Sequence, residues 1–120
     1  MTEVLKPRET LLVLSEAPHI SSRSRERLDL LLALAAGDWP VTVVFVDAGV
    51  LLLAPPAEPA ELQDYPAGLG MLPLFGVDAV WAERGALQRY GLADTALRIP
   101  VRVGDAGEIR QLMEDAACLM

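Results

Sequence analysis

The best-placed charged side chains of this sequence lie where a predicted strand passes into a predicted helix. In VWAERGALQRYGL (residues 80–92), Glu83 and Arg84 follow an apolar run and precede a helical pattern. Ligands and reactive groups of open α/β sheets gather beyond the carboxyl ends of the strands. A carboxylate there can act as a general base only beside a nucleophile or a held water, and the neighbouring sequence supplies no Cys, Ser or His. We therefore expect Glu83 and Arg84 to be a solvated or interface pair, with no catalytic role.

A second polar junction, APHISSRSRER (residues 17–27), also leads into a predicted helix. Serines at a helix N-terminus can bind an anion, and arginines follow them here. However, Arg23, Arg25 and Arg27 alternate, so a helix turns them in different directions. The sequence contains no glycine-rich phosphate loop. A phosphate site is therefore disfavoured, and His19 is expected to line a crevice or to make a packing and hydrogen-bonding contact.

The single cysteine, Cys118, limits which sulfur reactions and metal sites this chain can support. With one cysteine and one histidine, the chain cannot form an internal disulfide or a cysteine-rich zinc site. Cys118 lies in the apolar stretch AACLM behind Glu114 and Asp115, whose negative charges disfavour a reactive thiolate. We expect a buried, inert thiol, and no metal or cofactor.

Charge and hydropathy narrow the classes of partner. Seventeen acidic against ten basic residues give a net charge of −7, whereas direct nucleic-acid binders usually carry a basic surface. Any contact with RNA is expected to pass through a partner. The apolar run at 11–14 is too short for a signal peptide, and no stretch approaches the ~20 apolar residues that cross a bilayer. The expected location is the cytoplasm, away from membranes.

Alternating strand and helix patterns predict a three-layer α/β/α domain with about five mainly parallel strands. VTVVFV is the clearest strand buried on both faces and is expected at the centre of the sheet. Pro100 lacks the N–H of a central ladder, so its strand belongs at an edge. The predicted strands are residues 11–14, 41–46, 77–82, 97–103 and 117–120.

Helices are predicted between these strands. Ser21 or Ser22 should cap the first helix, which ends near Gly37. Asp47 is expected to cap a short helix through residues 48–53. A proline-rich surface connection at 54–61 precedes a helix over about 60–72, and further helices are predicted after residue 83 and before the C-terminal strand.

Two apolar segments, AGVLLLAPP and LGMLPLFG, offer more apolar surface than the sheet requires. They contain Val50, Leu52 and Phe75. Core packing explains such residues, and so does an oligomer interface. We expect the segments around residues 50–53 and 71–75 to contribute to contacts between subunits.

Three stretches, APHISSRSRERLDLLLALAA, FVDAGVLLL and LPLFGVDAVWAERGALQRYGL, resemble the TusC/DsrF branch of the DsrE/DsrF family. The first is similar to an A-P-H loop that leads into a helix, the second to a strand ending in D-x-G-V, and the third to a run closing on G-L. The resemblance covers residues 11–120 as a single domain and leaves residues 1–10 as an N-terminal extension.

The resemblance implies a non-catalytic subunit of a sulfur-relay complex. Its partners would be two related small α/β subunits, TusB/DsrH-like and TusD/DsrE-like, in a heterohexamer that passes persulfide sulfur towards 2-thiouridine at the tRNA wobble position. The resemblance leaves open whether the transferred sulfur serves dissimilatory sulfur metabolism instead. The carrier cysteine of such complexes belongs to the TusD/DsrE subunit at a strand end, where this chain has Glu83 and Arg84. Those two residues, His19 and Asp47 are the crevice candidates.

Two alternatives remain. The chain could be a stand-alone DsrE-like protein that binds a small ligand or nucleotide at the strand ends. It could also be an enzyme that carries persulfide on Cys118.

Overall fold

Five parallel strands form the sheet in the computed structural model, which describes residues 10–55 and 64–120. Their spatial order is β4-β3-β2-β1-β5, and every pair of neighbours runs parallel. The strands are β1 (Thr10–Leu14), β2 (Val41–Phe45), β3 (Val80–Glu83), β4 (Arg102–Gly104) and β5 (Cys118–Leu119). The predicted α/β class is confirmed, with the apolar run at 41–45 in the centre of the sheet.

Three α-helices and two 3₁₀ helices connect the strands in the described residues. The Ser21 hydroxyl accepts a hydrogen bond from the Arg23 N–H at the start of the first helix, and Gly37 follows its end, as predicted. The α-helices are α1 (Ser22–Ala36), α2 (Arg84–Arg89) and α3 (Ala106–Asp115). The 3₁₀ helices span Asp47–Leu53 and Tyr65–Met71.

The main core lies on the face of the sheet that carries α1, α2 and both 3₁₀ helices, whereas α3 packs on the other face. Strand alternation divides the side chains: Leu12 and Phe45 point to the main core, and Leu11 and Val44 point to Ile109 of α3. The chain runs from β1 to β4 in one direction and returns to β5 in the other. Right-handed crossovers therefore place α3 on the opposite face.

The edge position of the fourth strand is confirmed, but its predicted bounds are wrong. It begins at Arg102, two residues after Pro100. The preceding segment is held elsewhere, because the Arg98 N–H donates to the Leu53 carbonyl and the Arg98 Nε donates to the Ala54 carbonyl. That backbone is therefore engaged with the end of the first 3₁₀ helix and does not pair with β3.

Two helix predictions also need correction. Residues 65–71 form a 3₁₀ helix, because Pro66 at its start and the glycines at 68 and 70 do not support an α-helix. Asp47 is the first residue of its 3₁₀ helix with φ 48°, and no side chain caps that helix at Val46. Residues 1–9 and 56–63, which include most of the predicted N-terminal extension and proline-rich connection, lie outside the described residues.

Val50 and Leu52 are fully buried, so the expectation that they form an intersubunit surface is wrong. The physical reason is the close approach of the first 3₁₀ helix to the sheet. A Cβ on Gly49 would lie 1.9 Å from the carbonyl oxygen of Leu14, so only glycine allows this packing. Val50 and Leu52 are thereby drawn into the main core.

Cys118 is half-buried, which corrects the expectation of a buried thiol. It lies in a two-residue strand at the edge of the sheet, and one flank of that strand has no neighbouring strand among residues 10–55 and 64–120. No helix among the described residues is long and apolar enough to span a membrane.

Candidate functional site

Four of the residues singled out in the sequence lie at the carboxyl edge of the sheet. The pairings of Leu14 with Phe45 and of Phe45 with Ala82 bring the ends of β1, β2 and β3 to the same level. His19 lies in the loop after β1, and Asp47 is the second residue after the end of β2. Glu83 and Arg84 lie at the junction of β3 and α2. The parallel sheet thus brings three chain segments together, and we call this edge the crevice edge.

His19 contacts Tyr65, a residue that the sequence did not single out. The His19 N–H donates to the Tyr65 hydroxyl at 3.2 Å, and the two rings meet edge to face with centroids 5.0 Å apart. The Arg25 guanidinium lies 5.8 Å from the centre of the Tyr65 ring, within the range of a cation–π contact. His19 therefore makes the packing and hydrogen-bonding contact that was one of the two expectations for it, with its side chain still exposed.

The other arginines of this segment reach separate partners, as their alternation predicts. Arg23 forms an ion pair with Glu16 at 3.2 Å, and Glu16 also accepts from the Ser21 hydroxyl. Arg27 donates to the Val13 carbonyl and, at 2.6 Å, to the Met120 carbonyl. The bond to Val13 ties α1 to strand β1, and the bond to Met120 fastens the residue that follows β5. The arrangement is not that of an anion site built from clustered arginines.

The junction of β3 and α2 presents two charged side chains, Glu83 and Arg84, and no Cys, Ser or His lies beside them in the chain. Glu83 is half-buried as the last residue of its strand, and Arg84 is exposed. The two side chains form no ion pair with each other, and Glu83 does not cap α2. A carboxylate and a guanidinium placed in this way can contact a polar or charged partner, and no Cys, Ser, Thr or His stands beside them in residues 80–92.

The thiol lies far from the crevice edge. Cys118 is level with Thr10 at the beginning of β1, whereas Glu83 is level with Val46, just beyond the end of β2. Five residue steps of about 3.3 Å along the strands and three strand spacings of about 4.8 Å place their Cα atoms roughly 20 Å apart. Cys118 and the crevice residues are therefore separate sites on this chain.

Phe75, another residue singled out in the sequence, lies at the opposite end of the sheet. It packs partly buried against the main core and lines a pocket with Gly76, Val77 and Asp78 near the beginning of β3. The structure does not bring it together with His19 or Glu83. No group of three His, Cys, Asp or Glu residues in the described ranges is arranged to hold a metal ion.

Two of the three described residues other than glycine that have a positive φ lie at the crevice edge; the third, Asp38 with φ 58°, lies before β2 at the opposite edge of the sheet. His19 and Asp47 have φ angles of 66° and 48°, in the left-handed region that residues other than glycine rarely adopt. Such conformations persist where the surrounding structure holds them, and they are frequent at binding and active sites. Both lie beyond the ends of neighbouring strands, β1 and β2. Neither backbone conformation was predictable from the residue types alone.

The parallel sheet, the single α-helix on one face and the polar crevice edge define an α/β domain of the kind that holds functional groups at its strand ends. The chain belongs to the DsrE/DsrF-like family, whose sequence profile matches residues 9–120.

Curated relatives are similar in sequence to this chain over most of its length. It is 39% identical over 109 residues to a protein named Protein TusC homolog from Pseudomonas aeruginosa, covering 88% of this chain and 92% of the relative. A protein of the same name from Vibrio vulnificus is 31% identical over 87% of this chain and 90% of its own. The resemblance to the TusC/DsrF branch is therefore confirmed.

The fold is shared with a solved structure of low sequence identity. The crystal structure of the ychN protein from E. coli superposes with a TM-score of 0.81 at 19% identity, over 94% of this chain and 97% of that one. This likeness supports the architecture and the strand order.

Proposed function

We propose that this chain is a non-catalytic subunit of a sulfur-relay complex in the cytoplasm. Its partners are two related small α/β subunits, one TusB/DsrH-like and one TusD/DsrE-like, in a heterohexamer. The sulfur is passed as persulfide, ultimately to 2-thiouridine at the tRNA wobble position. The similarity to proteins named TusC homolog over most of the chain supports this assignment. The net charge of −7 favours contact with tRNA through a partner.

The observation that carries the non-catalytic role is the separation of the only thiol from the crevice edge. In a relay step, the thiolate of the acceptor attacks the outer sulfur of the donor persulfide, the S–S bond breaks, and the donor leaves as a thiolate. The acceptor thiol must therefore reach the donor. At the crevice edge this chain has Glu83 and Arg84, and Cys118 lies roughly 20 Å away along and across the strands. The carrier cysteine is accordingly assigned to a sister subunit.

The crevice edge is the part of this chain that we assign to contact with the carrier subunit. His19, Asp47 and Arg84 are exposed there, and Glu83 is half-buried. These groups can pair with polar and charged groups of a partner, whereas Val50 and Leu52 are core residues and are no longer part of the proposed interface. Electrostatic complementarity of this kind fixes orientation and partner choice.

Co-expression with the two sister subunits tests the assembly. Native mass spectrometry should give a complex that contains all three chains, and reversing the charge of Arg84 with Arg84→Glu should weaken it. Glu114→Lys, on the exposed face of α3, is the control and should leave the assembly intact. A chain that stays alone in the presence of both sisters contradicts the proposal.

The role of Cys118 is tested in the reconstituted complex with a persulfide donor. Cys118→Ser should transfer sulfur at the wild-type rate, because the thiol takes no part in the relay. Mass spectrometry of the peptides should find persulfide on a sister subunit. Persulfide on Cys118, or loss of transfer in an intact Cys118→Ser complex, contradicts the non-catalytic role.

Ligand binding at the strand ends is the second candidate function. The specific observation in its favour is the pair of left-handed residues, His19 and Asp47, at the ends of neighbouring strands. Equilibrium dialysis of the isolated chain with ATP, GTP and NAD tests it. Saturable binding that His19→Ala removes would favour this function over the relay subunit.

A further inference from the structure

A groove with one mainly polar and one mainly apolar half borders the amino-terminal ends of β2 and β3, on the opposite edge of the sheet from the crevice edge. Two adjoining pockets of about 280 and 330 Å³ form it, and both are lined by Gly76, Val77 and Asp78. The larger pocket has an apolar lining that includes Leu72, Pro73, Val80, Ile99 and Pro100. Its volume is sufficient for one large apolar side chain.

Exposed apolar side chains extend this groove. Leu74, between two lining residues, is 76% exposed, and Met71 and Trp39 are exposed by 42% and 41%. Trp39 lines the smaller pocket and is held in place because its Nε1–H donates to the Thr10 hydroxyl at 2.8 Å. A fixed aromatic ring offers contact area at little cost in conformational entropy. Leu74 and Met71 adjoin the lining residues Pro73 and Leu72 in the chain, so they flank the larger pocket.

Acidic side chains give the groove a charge. Asp38 and Asp78 line the smaller pocket, both are exposed, and neither takes part in an ion pair with any described residue. The described lining of the two pockets contains no lysine or arginine. A complementary ligand therefore combines an apolar side chain with a positive charge. A second copy of this surface is a poor match, since it would set carboxylates against carboxylates.

We propose that this groove binds a segment of a protein partner that presents a large apolar side chain next to a lysine or arginine. The apolar side chain enters the pocket beneath Pro73 and Pro100, and the cation lies against Asp38 and Asp78. The groove and the crevice edge are at opposite ends of the strands, so this surface is independent of the proposed relay function and leaves the crevice edge accessible.

Fluorescence anisotropy with a labelled peptide tests the proposal on the full chain. The probe is the octapeptide Gly-Ser-Leu-Lys-Leu-Arg-Ser-Gly, with versions in which Phe or Ile replaces Leu. At least one version should bind saturably. Replacing the two basic residues with Glu, or the two apolar residues with Ser, should abolish binding, because the groove requires both features.

Two variants of the chain locate the binding. Asp38→Asn combined with Asp78→Asn should weaken binding about fivefold, as expected for two exposed charge pairs. The control, Asp29→Asn combined with Glu114→Gln, removes the same net charge from exposed positions on α1 and α3 and should change binding less than about twofold. Leu74→Ser should also weaken binding, and its high exposure makes it a safe change for the fold.

Other occupants give different results. Absence of binding by every basic, apolar peptide overturns the proposal, and so does equal weakening by the control variant. Self-association that Leu74→Ser prevents would identify a second copy as the occupant and overturn it as well. Binding that appears only after removal of residues 1–9, a segment with Lys6 and Arg8, would assign the groove to this chain's own N-terminal sequence and would overturn the proposal of a separate partner.

Discussion

Replacement of Gly49 by alanine should be among the most damaging single-methyl additions to this chain. A Cβ at this position would lie 1.9 Å from the carbonyl oxygen of Leu14 and 2.9 Å from the backbone nitrogen of Ser15. These atoms belong to backbone, so no side chain can rotate away. To restore an ordinary contact, the 3₁₀ helix must retreat from β1 by about 1.5 Å.

That retreat disturbs the core above it. Val50 and Leu52, both fully buried, move with the helix, and the hydrogen bond from the Gly49 N–H to the Val46 carbonyl is strained. Overpacking of a core costs about 1–3 kcal/mol, and loss of contacts around two buried side chains adds to it. We expect the free energy of unfolding to fall by about 3 kcal/mol or more, a large fraction of the stability of a small domain.

Urea unfolding monitored by circular dichroism measures this change, and the chain contains a matched control. Gly70 also lies in a 3₁₀ helix, and a Cβ there meets nothing within 4 Å. Gly70→Ala should be neutral or slightly stabilising, because it reduces the freedom of the unfolded chain. A Gly49→Ala variant within about 0.5 kcal/mol of the wild type would refute the reasoning, since surface substitutions have effects of that size.

Three further predictions concern stability. Arg98→Ala should cost about 2–3 kcal/mol in urea unfolding, because it removes a bidentate ion pair to Asp64 at 2.6 and 3.0 Å from a mostly buried guanidinium. Arg27→Ala should cost about 1–2 kcal/mol and speed amide hydrogen exchange at Met120, whose carbonyl it holds. Leu52→Asp should leave the isolated chain largely unfolded by circular dichroism, because it buries a charge in the core.

A control variant separates the loss of these specific contacts from the general effect of removing an arginine. Arg89→Ala removes an exposed arginine from the end of α2 and should change stability by less than about 0.5 kcal/mol. If Arg98→Ala is no more destabilising than this control, the ion pair with Asp64 does not hold the segment before β4. A folded Leu52→Asp chain that only loses its sister subunits would restore the earlier interface hypothesis.

The sequence by itself determined the elements whose signals are local. An unbroken apolar run specified β2 as a strand buried on both faces. The edge position predicted from Pro100 was correct, but Pro100 lies two residues before β4, so its missing N–H is not what places that strand at the edge. Ser21 and Gly37 marked the ends of α1 because capping depends on neighbouring residues in the chain. The lack of a nucleophile beside Glu83 was also readable from adjacent residues.

Tertiary structure decided everything that depends on residues distant in the chain. Apolarity alone could not distinguish core from interface for Leu52; the close approach of Gly49 to β1 made it core. Tyr65 joins His19 across 46 residues, and such a contact leaves no local pattern. The strand order, finally, set the distance between Cys118 and Glu83, because a parallel sheet fixes which strand ends meet and which lie at opposite edges.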